Sequence, residues 1–521
     1  MPPHGQRSAL GAGPTTLGAD LHDAVSAMPR LSFRRQLLLL DATAAAPADV
    51  SSWQEERIGA YRLFTHPDAT VAVAWRGATC VVIVGVALDP RQPERPEADL
   101  ARDLATAPPD DRQDLVDGWT GAFAAVRCEG DDAEIHHDAA GLTAIVWTTD
   151  GPLAVGSDPA LLARAVPLVE APEAPSFEAS RAYANAGRLW PGTRTRYRNV
   201  RRLLPNHILT LPDRASRRIF PVRPLPARTI GAGADALAKT ARGGVLGVAA
   251  RRPVRLGLTA GWDSRVLLAA SRPLVASGQL SAYVIVHPID GGRAIADTVD
   301  AEIANRLGRR LGFAVDTIRY APRVDATLAS ALAESVTGGQ PNSALMSRAF
   351  LDRSTAINGN VSEVARTYYA RAAHPTAEVL AWHVYRTPHP VAVEAYGAWL
   401  AEAAPVSRAL GYDIEDLFYW ENRMGVWGAT AWTGYRVACE MVSPFSNRRL
   451  LETLLGVPAR FRGREHNPLY REAIARLWPE ALGVPLNPQA RTRAIRWMER
   501  AGVYGAYARL RDRVARRRAV R

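Results

Sequence analysis

A run of small and hydroxyl-bearing residues follows an apolar stretch near the middle of this 521-residue chain. The apolar residues Val254 to Leu258 predict a buried strand, and Thr259-Ala260-Gly261-Trp262-Asp263-Ser264 leads from it into a segment of helical character. Backbone N–H groups at such a loop, together with the positive end of the helix, favour phosphate. The hydroxyl groups of Thr259 and Ser264 add donors, and Gly261 lets the backbone come close to a ligand.

The aspartate of this loop needs a separate explanation. A carboxylate repels phosphate unless a cation lies between the two, and Mg²⁺ is a common cation at phosphate sites. Asp263 therefore predicts a magnesium ion. We expect Leu258 to Ser264 to bind phosphate groups together with this ion.

The elements that must position this loop are strands and helices in alternation. Beyond residue 220 the pattern predicts strands at Val254 to Leu258, Ala282 to His287 and Val315 to Arg319, separated by helices from Ser264 and through Thr298 to Leu311. Alternation of this kind is typical of an α/β domain with a parallel sheet. After about residue 375 the chain is predicted to be mainly helical.

The first part of the chain has a different pattern. Residues 1–30, rich in Gly, Pro, Ala and Ser, predict a flexible tail. Residues 31–220 predict a β-rich domain, because turn residues separate short apolar or alternating runs at Val71 to Trp75, Cys80 to Val86, Ala122 to Arg127, Ala144 to Thr148, Leu153 to Gly156 and His207 to Leu211. Three prolines between Pro221 and Pro226 indicate a linker, so a second domain is predicted at 221–521.

Composition and charge narrow the possible partners. The net charge is +12, and arginine carries almost all of it because Lys239 is the only lysine. The arginine cluster Arg509 to Arg518 has no nucleic-acid motif beside it, so we expect no nucleic-acid partner. The chain has no long apolar run and no apolar core of a signal sequence, so we expect no membrane contact and a cytoplasmic location. The three cysteines, Cys80, Cys128 and Cys439, are far apart, which fits a reducing compartment.

The loop Thr259 to Ser264 resembles the Ser-Gly-Gly-x-Asp-Ser pyrophosphate loop of the asparagine synthetase family and of other N-type ATP pyrophosphatases. Thr259 stands in place of the first serine and keeps its hydroxyl. Ala260 stands in place of the first glycine, which requires a negative φ there. The resemblance implies an ATP-binding synthetase domain over residues 221–521, in which Ala282 to Val286, with Val284 at its centre, lines an adenine pocket.

The same resemblance implies a second acidic loop. Ile357-Asn358-Gly359-Asn360-Val361-Ser362-Glu363 is similar to the family loop whose Ser-Asp helps hold Mg²⁺, with Asn358 and Gly359 beside the nucleotide. Glu363 replaces the aspartate and keeps its charge on a longer arm, so Asp263 and Glu363 are the expected magnesium ligands. The alternative is that Glu363 caps a helix.

Acyl transfer requires further groups. Glu440-Met441-Val442-Ser443-Pro444-Phe445 resembles the family's Glu-x-x-x-Pro-Phe, whose glutamate lies in the acyl-acceptor site, so Glu440 is the candidate for deprotonating or orienting an amine. The alternative is a buried carboxylate paired with an arginine. Relatives also place a lysine further on, where this chain has none. Arg464 and Arg471 are the candidates to supply that charge, although a guanidinium is not interchangeable with an ammonium.

Residues 31 to about 211 resemble the glutamine amidotransferase domain that precedes the synthetase domain in this family, which implies an Ntn-type sandwich. The resemblance rests on Gly121-Ala122-Phe123-Ala124, His137-Asp138-Ala139-Ala140-Gly141, Gly156-Ser157-Asp158 and Arg201-Arg202-Leu203-Leu204-Pro205-Asn206-His207. Working glutaminases of this fold carry a cysteine nucleophile at position 2, where this chain has Pro2. We therefore expect no glutaminase activity and an amine from another source.

Taken together, the resemblance implies an ATP-dependent ligase that adenylates a carboxylate and transfers it to an amine, with ATP and Mg²⁺ as cofactors. The pattern is that of β-lactam synthetases and lasso-peptide cyclases, whose substrate carries its own amine, and a lasso-type macrocyclase is the leading hypothesis. The expected partners are a peptide or small molecule bearing a carboxylate and an amine, and a precursor-peptide protease. Two alternatives stay open: a weakened homologue that binds nucleotide or a partner protein, and a small-molecule ligase that uses free ammonia or a substrate amine.

Overall fold

The structure is a computed structural model of the whole chain. It describes residues 31–286, 292–319, 326–338, 354–369, 375–463 and 466–487, with residues 292–298 and 319 described by their backbone alone. The predicted tail 1–30 and Arg464 therefore lie outside the described residues.

Residues 31–220 form two six-stranded antiparallel sheets, in the orders β10-β8-β9-β1-β3-β2 and β12-β11-β7-β6-β5-β4. The strands are β1 Leu37–Asp41, β2 Gln54–Ile58, β3 Tyr61–Thr65, β4 Val71–Arg76, β5 Thr79–Leu88, β6 Thr120–Glu129, β7 Asp132–His137, β8 Val146–Thr148, β9 Ala154–Gly156, β10 Val200–Arg202, β11 His207–Leu211 and β12 Ala215–Arg218. The helices of this part are α1 Glu97–Thr106, α2 Pro109–Asp117, α3 Pro159–Ala165, α4 Ala174–Glu178 and α5 Arg181–Asn185, with a 3₁₀ turn at Ala48–Val50.

Several strands are continuous apolar runs because both faces of each sheet are covered. Side chains alternate between the faces of a strand. In β1, Leu37 and Leu39 pack in the core between the sheets, whereas Leu38 and Leu40 pack with α3 on the outer face. The β5 strand alternates in the same way between that core and α1. The sandwich is therefore an inner pair of sheets with helices outside.

The described residues beyond 220 form an α/β unit around a parallel sheet of five strands, in the order β15-β14-β13-β16-β17. Its strands are β13 Val254–Gly257, β14 Ser281–Val286, β15 Val315–Arg319, β16 Thr355–Ile357 and β17 Glu440–Val442. Its α-helices are α6 Ile230–Ala249, α7 Trp262–Ala270, α8 Arg272–Ala276, α9 Gly292–Leu311, α10 Ala326–Ser335, α11 Ala377–Tyr385, α12 Pro390–Leu410, α13 Ile414–Phe418, α14 Ala429–Ala438, α15 Arg448–Leu455 and α16 Pro468–Leu477. A π-helix spans Tyr419–Gly428, and 3₁₀ turns span Ser362–Ala365, Ala459–Phe461 and Pro479–Gly483.

The predicted fold class is confirmed, since an antiparallel sandwich precedes an α/β unit with a parallel sheet and a helical C-terminal part. The sequence pattern did not predict β16 or β17, which have only three residues each. No helix in the described part of the chain has the length and apolar character needed to cross a bilayer.

The two parts share one hydrophobic core. Val86, Leu88 and Ala122 of the sandwich belong to the same buried cluster as α6 and the parallel sheet. The loop after β17 is tied to the sandwich as well, because Ser446 Oγ donates to Asp138 Oδ1 at 2.7 Å and Asn447 Nδ2 donates to Gly118 O at 2.8 Å. The loop that follows the predicted Glu440 motif is therefore part of the interface.

The residues just before β1 make a second set of interface contacts. Arg34 Nη1 donates to the carbonyls of Val437 and Ala438 at 3.1 Å each, and Arg35 Nη1 donates to Arg436 O at 2.6 Å. These carbonyls end α14, where cations are favoured because the last carbonyls lack helical partners and carry the negative end of the helix dipole. The segment just before β1 thus caps the C-terminal end of α14.

A buried histidine lies near this interface. His137 Nε2 is 3.1 Å from Leu204 O and, since a carbonyl only accepts, carries the ring proton. Burial, and then the nearby guanidinium of Arg448, lower the pKa of His137 to about 3. The imidazole is therefore neutral in the folded chain at moderately acid pH.

We predict an acid-dependent loss of stability from this group. Below about pH 6.5, the pKa of an unperturbed histidine, the unfolded chain binds a proton that the folded chain does not bind. Its contribution to stability is constant above that pH and falls as the pH decreases towards 3, by up to about 1.4 kcal/mol per pH unit. His137→Gln should flatten the decline of the unfolding midpoint between pH 7 and pH 4.5; an unchanged decline would contradict the assignment.

Candidate functional site

The structure brings together the two loops that the sequence predicted to bind phosphate and metal. Thr259 to Ser264 follows β13, and Asn358 to Glu363 follows β16. The two strands are parallel neighbours, with Leu256 opposite Ile357, so both loops leave the sheet at its carboxyl edge. Ligands of open α/β sheets bind at this edge.

The first loop is held by bonds among its own residues and to α9. Ser264 Oγ accepts from Thr259 N at 3.1 Å and lies 3.0 Å from Thr259 Oγ1, which accepts from Gly261 N at 3.2 Å. Ala260 N donates to Asp300 Oδ1 at 2.8 Å. Ala260 is not among the residues with positive φ, so alanine is tolerated where the resembled loop has glycine.

The second loop approaches the first at a glycine. A Cβ atom on Gly359 would lie 2.6 Å from Asp263 Cβ and 3.0 Å from Ser264 N, so a larger residue would push the loops apart. Two residues later, buried Val361 has a φ of 82°, which β-branched residues rarely adopt. Backbone strain of about 1–3 kcal/mol persists where the surroundings hold it, often near functional sites.

Two carboxylates and one guanidinium meet where the loops touch. Ser362 Oγ donates to Asp263 Oδ1. Arg366 Nη2 lies 3.0 Å from Asp263 Oδ2 and 3.8 Å from Glu363 Oε1. The side chains of Arg366, Asp263 and Glu363 are only 10%, 15% and 17% exposed, so water screens these charges weakly.

The charges at this point perturb one another. Burial, and then the neighbouring Asp263 carboxylate, raise the pKa of Glu363 to about 7. Although its burial acts in the opposite direction, the two carboxylates raise the pKa of Arg366 above its ordinary value. A cation that replaced or joined Arg366 beside Glu363 would lower this pKa, because it would stabilise the ionised carboxylate.

The donor set at this point fits a magnesium ion. Within the described residues no group of three or more His, Cys, Asp or Glu side chains is arranged to hold a metal. Mg²⁺ commonly takes only one or two carboxylates and completes its shell with water and substrate phosphates. Glu363 Oε2 is buried and has no hydrogen-bond partner in the described part of the chain, which leaves it open to a cation. The metal role of Asp263 and Glu363 stays a prediction.

The other predicted nucleotide residues divide into two groups. Leu258, Trp262 and Val284 are at most 5% exposed and belong to the hydrophobic core. Asn358 is partly exposed, and its Nδ2 lies 3.5 Å from Met441 Sδ, to which it donates. Asn358 is therefore the member of this set whose side chain is accessible at the carboxyl edge.

Glu440 lies at the other end of the sheet. It begins β17 opposite Thr355, which in turn is opposite Val254, the first residue of β13. The Thr259 loop starts about 16 Å further along, at roughly 3.3 Å per residue. The Glu440 side chain is 1% exposed, with Arg35 Nε 3.6 Å from Oε2 and Arg436 Nε 3.2 Å from Oε1. This is the arrangement of a buried carboxylate paired with arginines; its role as a base stays a prediction.

The sequence did not identify the cation that lies beside Asp263 and Glu363, the two carboxylates called the acidic pair below. Arg464 lies outside the described residues, and Arg471 is exposed on α16. The preceding residue, Tyr470, points inward and donates from its hydroxyl to Ser362 O at 3.0 Å. Arg366 contacts both carboxylates instead. Arg366 follows Glu363 by three residues, a spacing typical of paired charges on a helical turn. This spacing was the signal in the sequence for the ion pair.

The cysteines of the chain are unsuited to nucleophilic catalysis. Cys80 and Cys128 are opposite one another on β5 and β6, and Cys439 precedes β17. All three are buried, and burial raises the pKa of Cys80 to about 12 and those of Cys128 and Cys439 to about 11. A thiolate, the reactive form, is therefore strongly disfavoured at each position.

The chain is similar to solved structures at low sequence identity. No protein-family model matches the chain, and no curated protein matches it. One solved structure, described as the allosteric regulatory enzyme of purine biosynthesis, matches with a TM-score of 0.24 and 10% identity over 66% of this chain and 74% of that chain. Glutamine phosphoribosylpyrophosphate amidotransferase from B. subtilis, complexed with ADP and GMP, matches with a TM-score of 0.24 and 10% identity over 67% and 74%.

The arrangement around Glu440 leads to a prediction about stability. Arg35→Met should lower the free energy of unfolding by about 2–4 kcal/mol, because it leaves a buried carboxylate with one cation fewer. The double variant with Glu440→Gln should lose less than the sum of the single variants, by about 1–3 kcal/mol in urea denaturation. Strictly additive losses would contradict the pairing. Arg57→Met is the control, since the Arg57 side chain is 80% exposed and should contribute less than about 0.5 kcal/mol.

Proposed function

We propose that the chain is an ATP-dependent carbon–nitrogen ligase that adenylates a carboxylate and transfers the acyl group to an amine. The observation that carries the proposal is the meeting of Asp263, Ser362 and Glu363 at the start of α7, on the carboxyl edge of the parallel sheet. A helix start favours anions, and paired carboxylates favour a divalent cation. Together these features suit a polyphosphate that carries its metal.

In this proposal the residues have separate tasks. Asp263 and Glu363 would hold Mg²⁺, which when bound neutralises charge on the leaving pyrophosphate. Ser362 and the turn that contains it hold Asp263 in position through the hydroxyl-to-carboxylate bond. The hydroxyls of Thr259 and Ser264 and the amide of Gly261 are donors close to the helix start.

The proposed chemistry has two displacement steps. An oxygen of the substrate carboxylate bonds to the α-phosphorus of ATP, and the bond from that phosphorus to the bridging oxygen breaks and releases pyrophosphate. The lone pair of an amine then bonds to the acyl carbon, the bond to AMP breaks, and the nitrogen loses a proton. The protein contributes by holding the reactants close and by neutralising charge.

The cysteines bear on the proposed source of the amine. Glutamine hydrolysis on an amidotransferase-like domain needs a reactive thiol, and the three cysteines of this chain are all buried with raised pKa values. The amine would then be carried by the substrate or enter as free ammonia. We favour a peptide whose N-terminal amine closes on its own Asp or Glu side chain, as in lasso-peptide cyclases.

A nucleotide-binding protein without ligase activity is the second candidate. It is favoured by two contacts: Arg366 already pairs with Asp263, and the amide of Ala260 already donates to Asp300. A site whose charges are partly balanced by the chain itself depends less on metal or nucleotide for its stability.

Pyrophosphate exchange separates the candidates. With a panel of Asp- and Glu-containing peptides and small dicarboxylic acids, we predict carboxylate-dependent incorporation of labelled pyrophosphate into ATP. Asp263→Asn should reduce it by about a hundredfold or more, because charge neutralisation at the transferred phosphorus is lost. Asp235→Asn, an exposed aspartate paired with Arg476, is the matched control and should exchange at the wild-type rate. Absence of exchange with every acid would favour the binding protein. Equal exchange in both variants would contradict the role assigned to Asp263.

A further inference from the structure

We propose that Arg366 is an internal counterion that competes with the metal ion for Asp263 and yields that position when polyphosphate binds. The inference rests on the proposed function, because it concerns the same pair of carboxylates. It adds a residue that controls when the metal is bound. Arg366 is a positioning residue in this role, since it acts through Asp263 and Glu363.

The contacts of Arg366 are strong enough to hold Asp263 and Glu363 together. They are also few enough for a metal ion to replace them. Its Nη2 atom is 3.0 Å from Asp263 Oδ2 and 3.8 Å from Glu363 Oε1. The Nε atom is buried and has no hydrogen-bond partner in the described part of the chain. Among the described residues one nitrogen therefore makes both ion pairs, and neither pair is bidentate.

The balance of charges makes the replacement of Arg366 by a metal ion depend on phosphate. Without ligand, one guanidinium faces two carboxylates at a site where the charged side chains are at most 17% exposed, and the net charge is −1 when both carboxylates are ionised. A divalent cation added alone would bring the net charge to +1 and would approach the same Asp263 oxygen that Arg366 contacts. Two cations at one carboxylate repel each other strongly in such surroundings. Polyphosphate removes this excess and offers the guanidinium new oxygen acceptors.

The chain therefore disfavours metal without polyphosphate and favours both together. Loss of the guanidinium should have opposite effects on the two ligands. Metal alone should bind more tightly, because its competitor is gone. Pyrophosphate with metal should bind more weakly, because a donor is gone. General damage to the loop would weaken both.

The experiment measures two dissociation constants on the full chain. The first is that of Mn²⁺ alone, from the loss of the free-ion signal in electron paramagnetic resonance. The second is that of pyrophosphate in the presence of Mg²⁺, from calorimetry. In Arg366→Gln we expect the first constant to fall about tenfold and the second to rise about tenfold, the size of one lost charged contact.

Two further variants complete the design. Arg366→Lys keeps the charge on a shorter, more strongly hydrated group, so the same opposite changes should appear at about threefold. It carries the test if the glutamine variant does not fold. Arg423→Gln is the matched control: the Arg423 charge reaches Glu363 only through space, and both constants should stay within about twofold of wild type.

The outcomes separate this inference from the proposed function. If Asp263→Asn binds Mn²⁺ and pyrophosphate as wild type does, the site itself is wrong. If Asp263→Asn loses both while the Arg366 variants leave both constants unchanged, or weaken both, the counterion role is overturned and the proposed function stands. Opposite changes in the two constants support the counterion role.

Discussion

Two carboxylates with little access to water need a positive charge between them, and the candidate site is built around this constraint. Burial and the Asp263 charge both oppose ionisation of Glu363, and Arg366 offsets them only in part. The backbone is shaped to keep the group together: Gly359 permits the close approach of the loops, and Val361 holds a rare φ at the entry to the turn. A loop that supports strain to bring like charges together is understandable if a cation is to be bound there.

The sandwich contributes to this site through one long helical run. The segment 414–438 continues from α13 through the π-helix into α14 without a break. Near its start, burial raises the pKa of the Tyr419 hydroxyl, and the charge of nearby Glu363 raises it further. At its end, Arg34 and Arg35 cap the last carbonyls. A domain without a reactive thiol is thus still required structurally, because it fixes the helix that flanks the acidic pair.

The sequence predicted the elements whose residues repeat a pattern and the loop whose residues are chemically unusual. The strand before Thr259 and the glycine-containing loop are local features, so spacing alone located them. The position of Glu440 depends on which strand lies beside β16 and in which register, and three-residue strands carry too little pattern for that. Arg366 was missed for a related reason, since one more arginine is inconspicuous in a chain whose basic residues are nearly all arginine.

The charges within the site also explain why departures from the resembled motifs do not decide its function. Asp300 accepts from the amide of Ala260, where an anion would bind, and Arg366 pairs with Asp263, where a cation would bind. The chain thus supplies a carboxylate, Asp300, in place of the polyphosphate and a guanidinium, Arg366, in place of the metal ion. Replacing one alone leaves a charge uncompensated in a poorly hydrated place, whereas replacing both preserves the balance. If metal and polyphosphate bind as proposed, electrostatics would therefore couple the binding of the two.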